Sequence, residues 1–346
     1  MSEFVSLGDH LTQWSTADPV RNAVAAAIMA LAEACRELAA IIADGDLGGR
    51  LAAQRGAMIG GDVQRELDVR ANELLIDALS SAPVAAVASE EMETPLPLAI
   101  GAPLLLAIDP LDGSSNIETN LSVGTIFSIL PNIRGCETIE AFLIPGRQQL
   151  AAGYVLYGPQ TALVLTLGAG TDIFTLERSG GVFRRSRSAI RVPARTYEIA
   201  INAANYRHWD PPVRVWFDDC LAGFDGPRGE NFNMRWLASM VAEAHRILAR
   251  GGIYLYPGDA RPGYRHGRLR LIYEANPIAM LMEQAGAAAS SAVGPILDRP
   301  PRALHERVPL VFGSSEEVKR LERYHLEPHP IGERSPLFGR RGLFRA

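Results

Sequence analysis

Four acidic segments lie far apart in the chain: Asp62 and Asp68 in "GGDVQRELD", Glu90 and Glu91 in "SEE", Asp109 and Asp112 in "DPLDGSSN", and Glu274 in "RLRLIYEANP". Hard divalent cations need several oxygen ligands, and Mg2+ in particular takes a few carboxylates together with substrate phosphate oxygens and water. Proline stiffens the "DPLD" turn, and the Leu111 carbonyl between its two acids is available as a further oxygen ligand. An anion-binding pattern follows directly. In Gly113-Ser114-Ser115 the glycine lets backbone approach a ligand closely, and serines opening a helix offer N–H and hydroxyl donors to an anion at its positive end. A cation site that abuts an anion site is what metal-assisted phosphoryl chemistry requires.

Each segment also has a plainer reading. "DPLDGSS" alone is an Asp-Pro turn followed by a Ser cap, although that leaves the matching acid doublet of "SEE" unexplained. Asp68 is a natural N-cap for the helix "VRANELLIDAL". With a period of two, Arg268, Arg270 and Glu274 share one face of a strand, and arginines alternating along an edge strand commonly face solvent.

The elements around these residues decide whether they can meet. "PVAAVAS" (83–89) and "LLLAI" (104–108) are short continuous apolar runs, the pattern of strands buried on both faces of an α/β layer structure. If they are neighbours running the same way, Glu90, Glu91, Asp109 and Asp112 converge at one edge of the sheet, where open α/β sheets bind ligands. From Val123 to Leu176, "VGTIFSIL", "LAAGYVLYG", "TALVLTLGAG" and "TDIFTL" read as a meander, with a turn rather than a dinucleotide fingerprint at Gly168. The N-terminal part holds a long Ala-rich helix with Asp18 as cap, Pro19 at its first position and Gly45 after its end.

A polar, basic stretch around Pro193 suggests a boundary near residue 195, giving an N-terminal metal- and phosphate-binding lobe (1–195), a C-terminal α/β lobe (196–333) and a basic tail (334–346). In the second lobe "MRWLASMVAEAHRILARGG" reads as helix, "IYLYP" and "RLRLIYEA" as strands, and "NPIAMLMEQAG" as a helix with Asn276 as cap and Pro277 first.

With 346 residues, of which 47% are hydrophobic and 21% charged, the chain has material for two packed lobes. A net charge of −5 gives no reason to expect nucleic acid as a partner. The most apolar stretch, 24–43, is interrupted by Glu33, Arg36 and Glu37 and is too polar for a membrane span. Cys35, Cys136 and Cys220 are widely separated, which gives no zinc site or disulfide framework and fits a reducing compartment. The first residues lack the pattern of a secretory signal, and a cytoplasmic location is expected.

In order and wording, "GDVQRELD", "SEE", "DPLDGSSN" with "VGTIFSI", "NMRWLASMVAEAHRIL", "GGIYLYP" and "RLRLIYEANPIAMLMEQAG" resemble the class I fructose-1,6-bisphosphatases, members of the lithium-sensitive, metal-dependent sugar and inositol phosphatase superfamily. The resemblance implies the sugar-phosphatase fold, an α/β structure with alternating layers α-β-α-β-α, assembled as a homotetramer. It implies hydrolysis of the 1-phosphate of D-fructose 1,6-bisphosphate in gluconeogenesis or the Calvin cycle. Glu90, Asp109, the Leu111 carbonyl, Asp112 and Glu274 would hold Mg2+, about two or three ions per site, with Mn2+ able to substitute.

Asp68 and Glu91 would orient and deprotonate the attacking water, with Asp62 nearby. Asp112, Gly113, Ser114, Ser115 and Arg270 would surround the scissile phosphate. Asn202, Tyr256 and Arg268 would contact the sugar and its 6-phosphate, and Arg235 would reach the 6-phosphate bound to a neighbouring subunit. Arg268 and Trp236 stand where the family usually has Lys and Tyr, which implies rearranged 6-phosphate contacts. Pro103 and Leu104 replace a Lys-Tyr pair that binds inhibitory AMP in animal-type members, implying weak or absent inhibition by that route. Two alternatives stay open: the same chemistry on sedoheptulose 1,7-bisphosphate, and a non-catalytic divalent-cation-binding protein on the same fold.

Overall fold

The computed structural model describes residues 4–49, 53–59, 62–133, 135 and 138–327. Cys136 and the basic tail fall outside the described residues. The chain opens with three helices, α1 (Leu7–Ser15), α2 (Pro19–Asp44) and α3 (Glu66–Leu79), with a small hairpin of β1 (Gln54–Ile59) and β2 (Asp62–Arg65) between α2 and α3. The expected ends of α2 are present: the Asp18 carboxylate accepts the N–H groups of Val20 and Arg21 at 2.9 and 3.2 Å, and Gly45 follows at positive φ.

An eight-stranded sheet follows, built from β3 (Val84–Ser89), β4 (Leu96–Pro97), β5 (Leu104–Asp112), β6 (Val123–Pro131), β7 (Ala151–Tyr157), β8 (Thr161–Thr166), β9 (Thr171–Leu176) and β10 (Phe183–Arg187). Its order is β10-β9-β8-β7-β6-β5-β3-β4, and the only parallel pair is β3 with β5. The two apolar runs are therefore neighbours running the same way, and the meander from β6 to β9 is antiparallel throughout.

After the short helices α4 (Ile139–Phe142) and α5 (Pro211–Leu221), the remaining elements build a mixed five-stranded sheet. Its strands are β11 (Glu198–Ala200), β12 (Asn233–Met234) and β13 (Ile253–Tyr256), then, beyond β14 (Leu269–Arg270), β15 (Ala288–Ser290), and, beyond β16 (Arg307–Val308), β17 (Leu310–Gly313). The last helices are α6 (Met240–Arg250), α7 (Asn276–Gln284) and α8 (Ser315–Leu326).

Alternation along the strands sorts the core into layers. Leu104, Leu106 and Ile108 of β5 pack with Leu31, Leu38, Leu67 and Leu75 of the N-terminal helices. Tyr154 and Val164, from the opposite face of that sheet, join Val241 and Ile247 of α6, Ile278 and Leu281 of α7, and Tyr254 and Phe312 of the second sheet. Ile253, Leu255 and Val311, on that sheet's far face, meet Trp216 and Phe217 of α5 and Val318 and Leu321 of α8. The order is helix, sheet, helix, sheet, helix, as the five-layer expectation required.

Three local expectations are corrected. The helix read from "MRWLASMVAEAHRILARGG" begins only at Met240, because Ser239 caps it and Ala238 immediately before has a φ of 55°. Of "RLRLIYEA", only Leu269 and Arg270 are strand; Leu271–Ala275 is a turn of π-helix continuing into α7, so Asn276 lies inside helical backbone and is not its cap. Finally, Asp68 is the third residue of α3 rather than its N-cap, which is Arg65.

Candidate active site

The parallel pairing of β3 and β5 carries both acid turns to one edge. The Glu90 N–H continues the ladder by donating to the Ile108 carbonyl at 3.0 Å. Ser89 fixes the turn beyond it: its hydroxyl donates to Asn72 of α3 at 2.7 Å and accepts the Glu91 N–H at 3.2 Å. In "DPLD" the Leu111 N–H returns to Asp109 Oδ1 at 3.0 Å, while the Pro110 carbonyl accepts from Thr125 of β6 at 2.8 Å. Asp112 is held from across the molecule, because its Oδ2 accepts the Val241 N–H at the start of α6, 3.1 Å away. Gly113, with a φ of 78°, then turns the chain in the left-handed region that favours glycine, into the short 3-10 turn Ser114–Thr119.

Around this edge lies an open cavity of about 300 Å3 whose wall includes Asp68, Glu90, Glu91, Asp109, Leu111 and Asp112. Gly113, Ser114, Ser115, Tyr256, Arg268 and Glu274 complete the predicted residues on the same wall. Arg270 lies behind it, 1% exposed, with Nε donating to Glu90 at 3.1 Å. Glu274 does not reach the cavity along a strand: the π-helical turn folds it back, and its carboxylate accepts the Arg270 backbone N–H. Asn202 sits apart in a recess that shares Tyr256 with the main cavity. Arg235 lines neither; it is half exposed and paired with Glu198 at 3.0 Å. Asp62 lies on β2, and its side chain is outside what the structure describes.

Electrostatically the cavity is short of positive charge. Asp109, Asp112 and Glu274 are all buried and each offers an oxygen within 4.8 Å of the others. Burial first, then the neighbouring carboxylates led by Glu90, holds Asp109 and Glu274 well above the usual carboxylate range. Burial likewise pushes Asp112 up to about 7. Asp68, 2% exposed, is pushed up to about 6 by burial, partly offset by hydrogen bonds from Arg65 and Ser114. One of its oxygens accepts the Arg65 N–H at 2.7 Å, and the other, Oδ1, is buried with no close hydrogen-bond donor among the described residues beyond the Ser114 interaction. An all-oxygen donor set, too crowded with carboxylates to ionise fully in isolation, fits hard divalent cations and not zinc-type soft-ligand sites.

Several contributors escaped the sequence reading. The start of α6 supplies the backbone donor to Asp112, and Asn116 Nδ2 donates to the Ala238 carbonyl at 3.1 Å, docking the phosphate-type turn onto that helix. Asn205, Trp209 and Asp259 line the recess beside Asn202. Tyr264 accepts a hydrogen bond from Arg268 at 2.8 Å and lies beneath its guanidinium, 5.0 Å from the ring centre. Ser239 ahead of "MVAEA" is an N-cap pattern that marks where this helix starts but not what its first N–H groups face.

A layered α/β fold with an acid-rich cavity beside a Gly-Ser-Ser turn defines the class as a metal-dependent phosphatase fold. Two family models cover almost the whole chain: the fructose-1-6-bisphosphatase N-terminal domain over residues 9–188 and the C-terminal domain over 192–326. The chain belongs to the fructose-1,6-bisphosphatase family.

It is 56% identical to a class 1 fructose-1,6-bisphosphatase of Xanthobacter autotrophicus, over 98% of this chain and 92% of that protein. It is 53% identical to one from Rhodopseudomonas palustris strain BisA53, over the full length of both. Among solved structures it is similar to the holo form of Leishmania major fructose-1,6-bisphosphatase, with a TM-score of 0.86 and 33% identity over 93% of this chain and 99% of that one.

Proposed function

We propose that the chain is a divalent-cation-dependent phosphohydrolase that removes the 1-phosphate of D-fructose 1,6-bisphosphate, giving fructose 6-phosphate and inorganic phosphate in the cytoplasm, within gluconeogenesis or the Calvin cycle. One observation carries this: acids from separate segments line one cavity beside the Gly113–Ser115 turn. Family membership and the names of the relatives support the same reading.

Glu90, Asp109, the Leu111 carbonyl, Asp112 and Glu274 would hold Mg2+. Bound there, it supplies Lewis acidity and neutralises charge on the transferring phosphoryl group. Everything else falls to the side chains. Phosphate-monoester hydrolysis is among the slowest uncatalysed reactions, with enzymic enhancements up to roughly 10^21, so positioning and charge compensation dominate.

Asp68, its carboxyl pushed up to about 6 by burial, takes the proton of the attacking water while Glu91 orients that water, and the family resemblance assigns Asp62 to the same step. Ser114, Ser115 and the backbone at Gly113 hold phosphate oxygens, and the Arg270 fork lies close behind. Tyr256, Arg268 and Asn202 receive the sugar and the remote phosphate. Arg235 serves the site of a neighbouring subunit in a homotetramer.

Inorganic phosphate release from the purified protein, measured across a panel of sugar bisphosphates with and without Mg2+ and lithium, tests this. Release from fructose 1,6-bisphosphate that needs Mg2+ and is suppressed by lithium is expected. Preference for sedoheptulose 1,7-bisphosphate would move the substrate assignment, and release without any divalent cation would overturn the chemistry.

A further inference from the structure

The segment from Arg235 to Ser239 joins two regions of the molecule, and it is held by an ion-pair chain that touches neither the cavity nor its acids. Glu198 of β11 takes Arg235 Nε at 3.0 Å through one oxygen and Arg246 Nη1 at 2.6 Å through the other. Arg246 then reaches Glu243 Oε2 through Nε and Nη2, at 3.0 and 2.9 Å. The remaining Glu243 oxygen accepts the Leu237 N–H at 2.7 Å. Glu243 is fully buried and Arg246 nearly so, which makes these contacts unusually costly to break. At the far end, the first turn of α6 delivers the Val241 N–H to Asp112, and the Ala238 carbonyl just before the helix cap accepts from Asn116.

We propose that Arg246, clamped between Glu198 and Glu243, is a positioning residue that sets Arg235 and the Asp112-binding end of α6 as one unit, so that remote-phosphate binding and cation binding are coupled. The coupling to substrate rests on the assignment of Arg235 to a neighbouring site made above; the coupling to the cation does not. The planar guanidinium is required because one side chain must satisfy two carboxylates along different edges, which an ammonium on a flexible stem cannot do in fixed geometry.

The test is Arg246→Lys, which keeps the charge and loses the span, with Glu198→Gln at the outer end as a milder companion. Two readouts do not depend on turnover: Mn2+ affinity by calorimetry and amide hydrogen exchange at Leu237 and Val241. Arg246→Lys is expected to weaken Mn2+ binding about tenfold, the scale of losses when groups behind metal ligands are altered, and to speed exchange at both amides. It should also raise KM for the bisphosphate more than it lowers kcat. Glu198→Gln is expected to raise KM while leaving Mn2+ affinity in place. In a double-mutant cycle, Arg246→Lys should add little to the KM of Arg235→Ala.

A lowered melting temperature with Mn2+ affinity and both exchange rates unchanged would reduce the clamp to a structural ion pair and overturn the proposal. If Arg246→Lys does not fold, unchanged KM in Glu198→Gln overturns the coupling to substrate. A wild-type protein that releases no phosphate refutes the functional assignment instead, and the Mn2+ and exchange readouts still decide the clamp.

Discussion

Asp68→Asn should make the cation-free protein more stable and the enzyme nearly inactive. Asp68 is 2% exposed, and burial lifts its carboxyl from 3.8 to about 6. Two pKa units correspond to ~3 kcal/mol. The sign follows from linkage: between about pH 4 and pH 6 the folded chain keeps a proton that the unfolded chain has lost, so stability falls as pH rises through that window and stays low above it. Asparagine has no proton to lose and can still accept the Arg65 N–H. The variant's advantage in EDTA should therefore be near zero at about pH 4 and approach ~3 kcal/mol at about pH 8, equal to roughly 4 °C for a chain of this size.

Turnover should fall about 10^2 to 10^4-fold, the usual worth of a general base. Urea or thermal unfolding at three pH values, alongside phosphate release, reads both. An Asn variant less stable than wild type at pH 8 would refute the claim that this carboxylate is held against its own preference. In the wild type, the acid limb of kcat/KM should lie at or below about 6, since a bound cation can only lower that value.

Asp112→Asn should remain folded and lose phosphate release at any Mg2+ concentration; undiminished turnover would remove Asp112 from the cation site. Because Asp109, Asp112 and Glu274 hold protons more tightly than ordinary carboxylates, Mg2+ binding near pH 7 should expel at least about one proton. Calorimetry in buffers of different ionisation enthalpy measures this, and buffer-independent heats would contradict it. Arg235→Ala should raise KM with a smaller effect on kcat, as loss of ground-state binding does, and an unchanged KM would detach it from substrate.

Much of the acid cluster was legible because its residues follow short apolar strands, and strand ends are where a parallel pair must place them. β3 and β5 show this directly: each apolar run ends at the acids that line the cavity. Glu274 lines the cavity from a π-helical turn and not from the strand face that its spacing suggests. Leu271, Ile272 and Tyr273 have strand-forming side chains, yet all three are buried, and the Glu274 carboxylate turns back onto the Arg270 N–H, which a helical turn permits and a strand does not.

Asp68 lies three positions inside the helix it would cap, for a related reason. Its carboxylate closes the first turn of α3 from inside, through the Arg65 N–H, instead of from the cap. The support that α6 gives Asp112 could not be read locally, because an N-cap pattern shows where a helix starts and says nothing about what its first N–H groups will face.

α7 lies between the two sheets, with every residue from Asn276 to Met282 buried. During synthesis this sets a waiting time. The last strand of the first sheet ends at Arg187, and roughly ninety further residues must be made before α7 begins, which takes the ribosome about 5 to 20 s. For that interval Ile126, Tyr154, Val164 and Ile173 have no α7 to cover them. A nascent chain truncated near residue 190 should bind chaperones or aggregate where the full-length chain does not, and a soluble, monomeric truncation would show that this face tolerates water without α7.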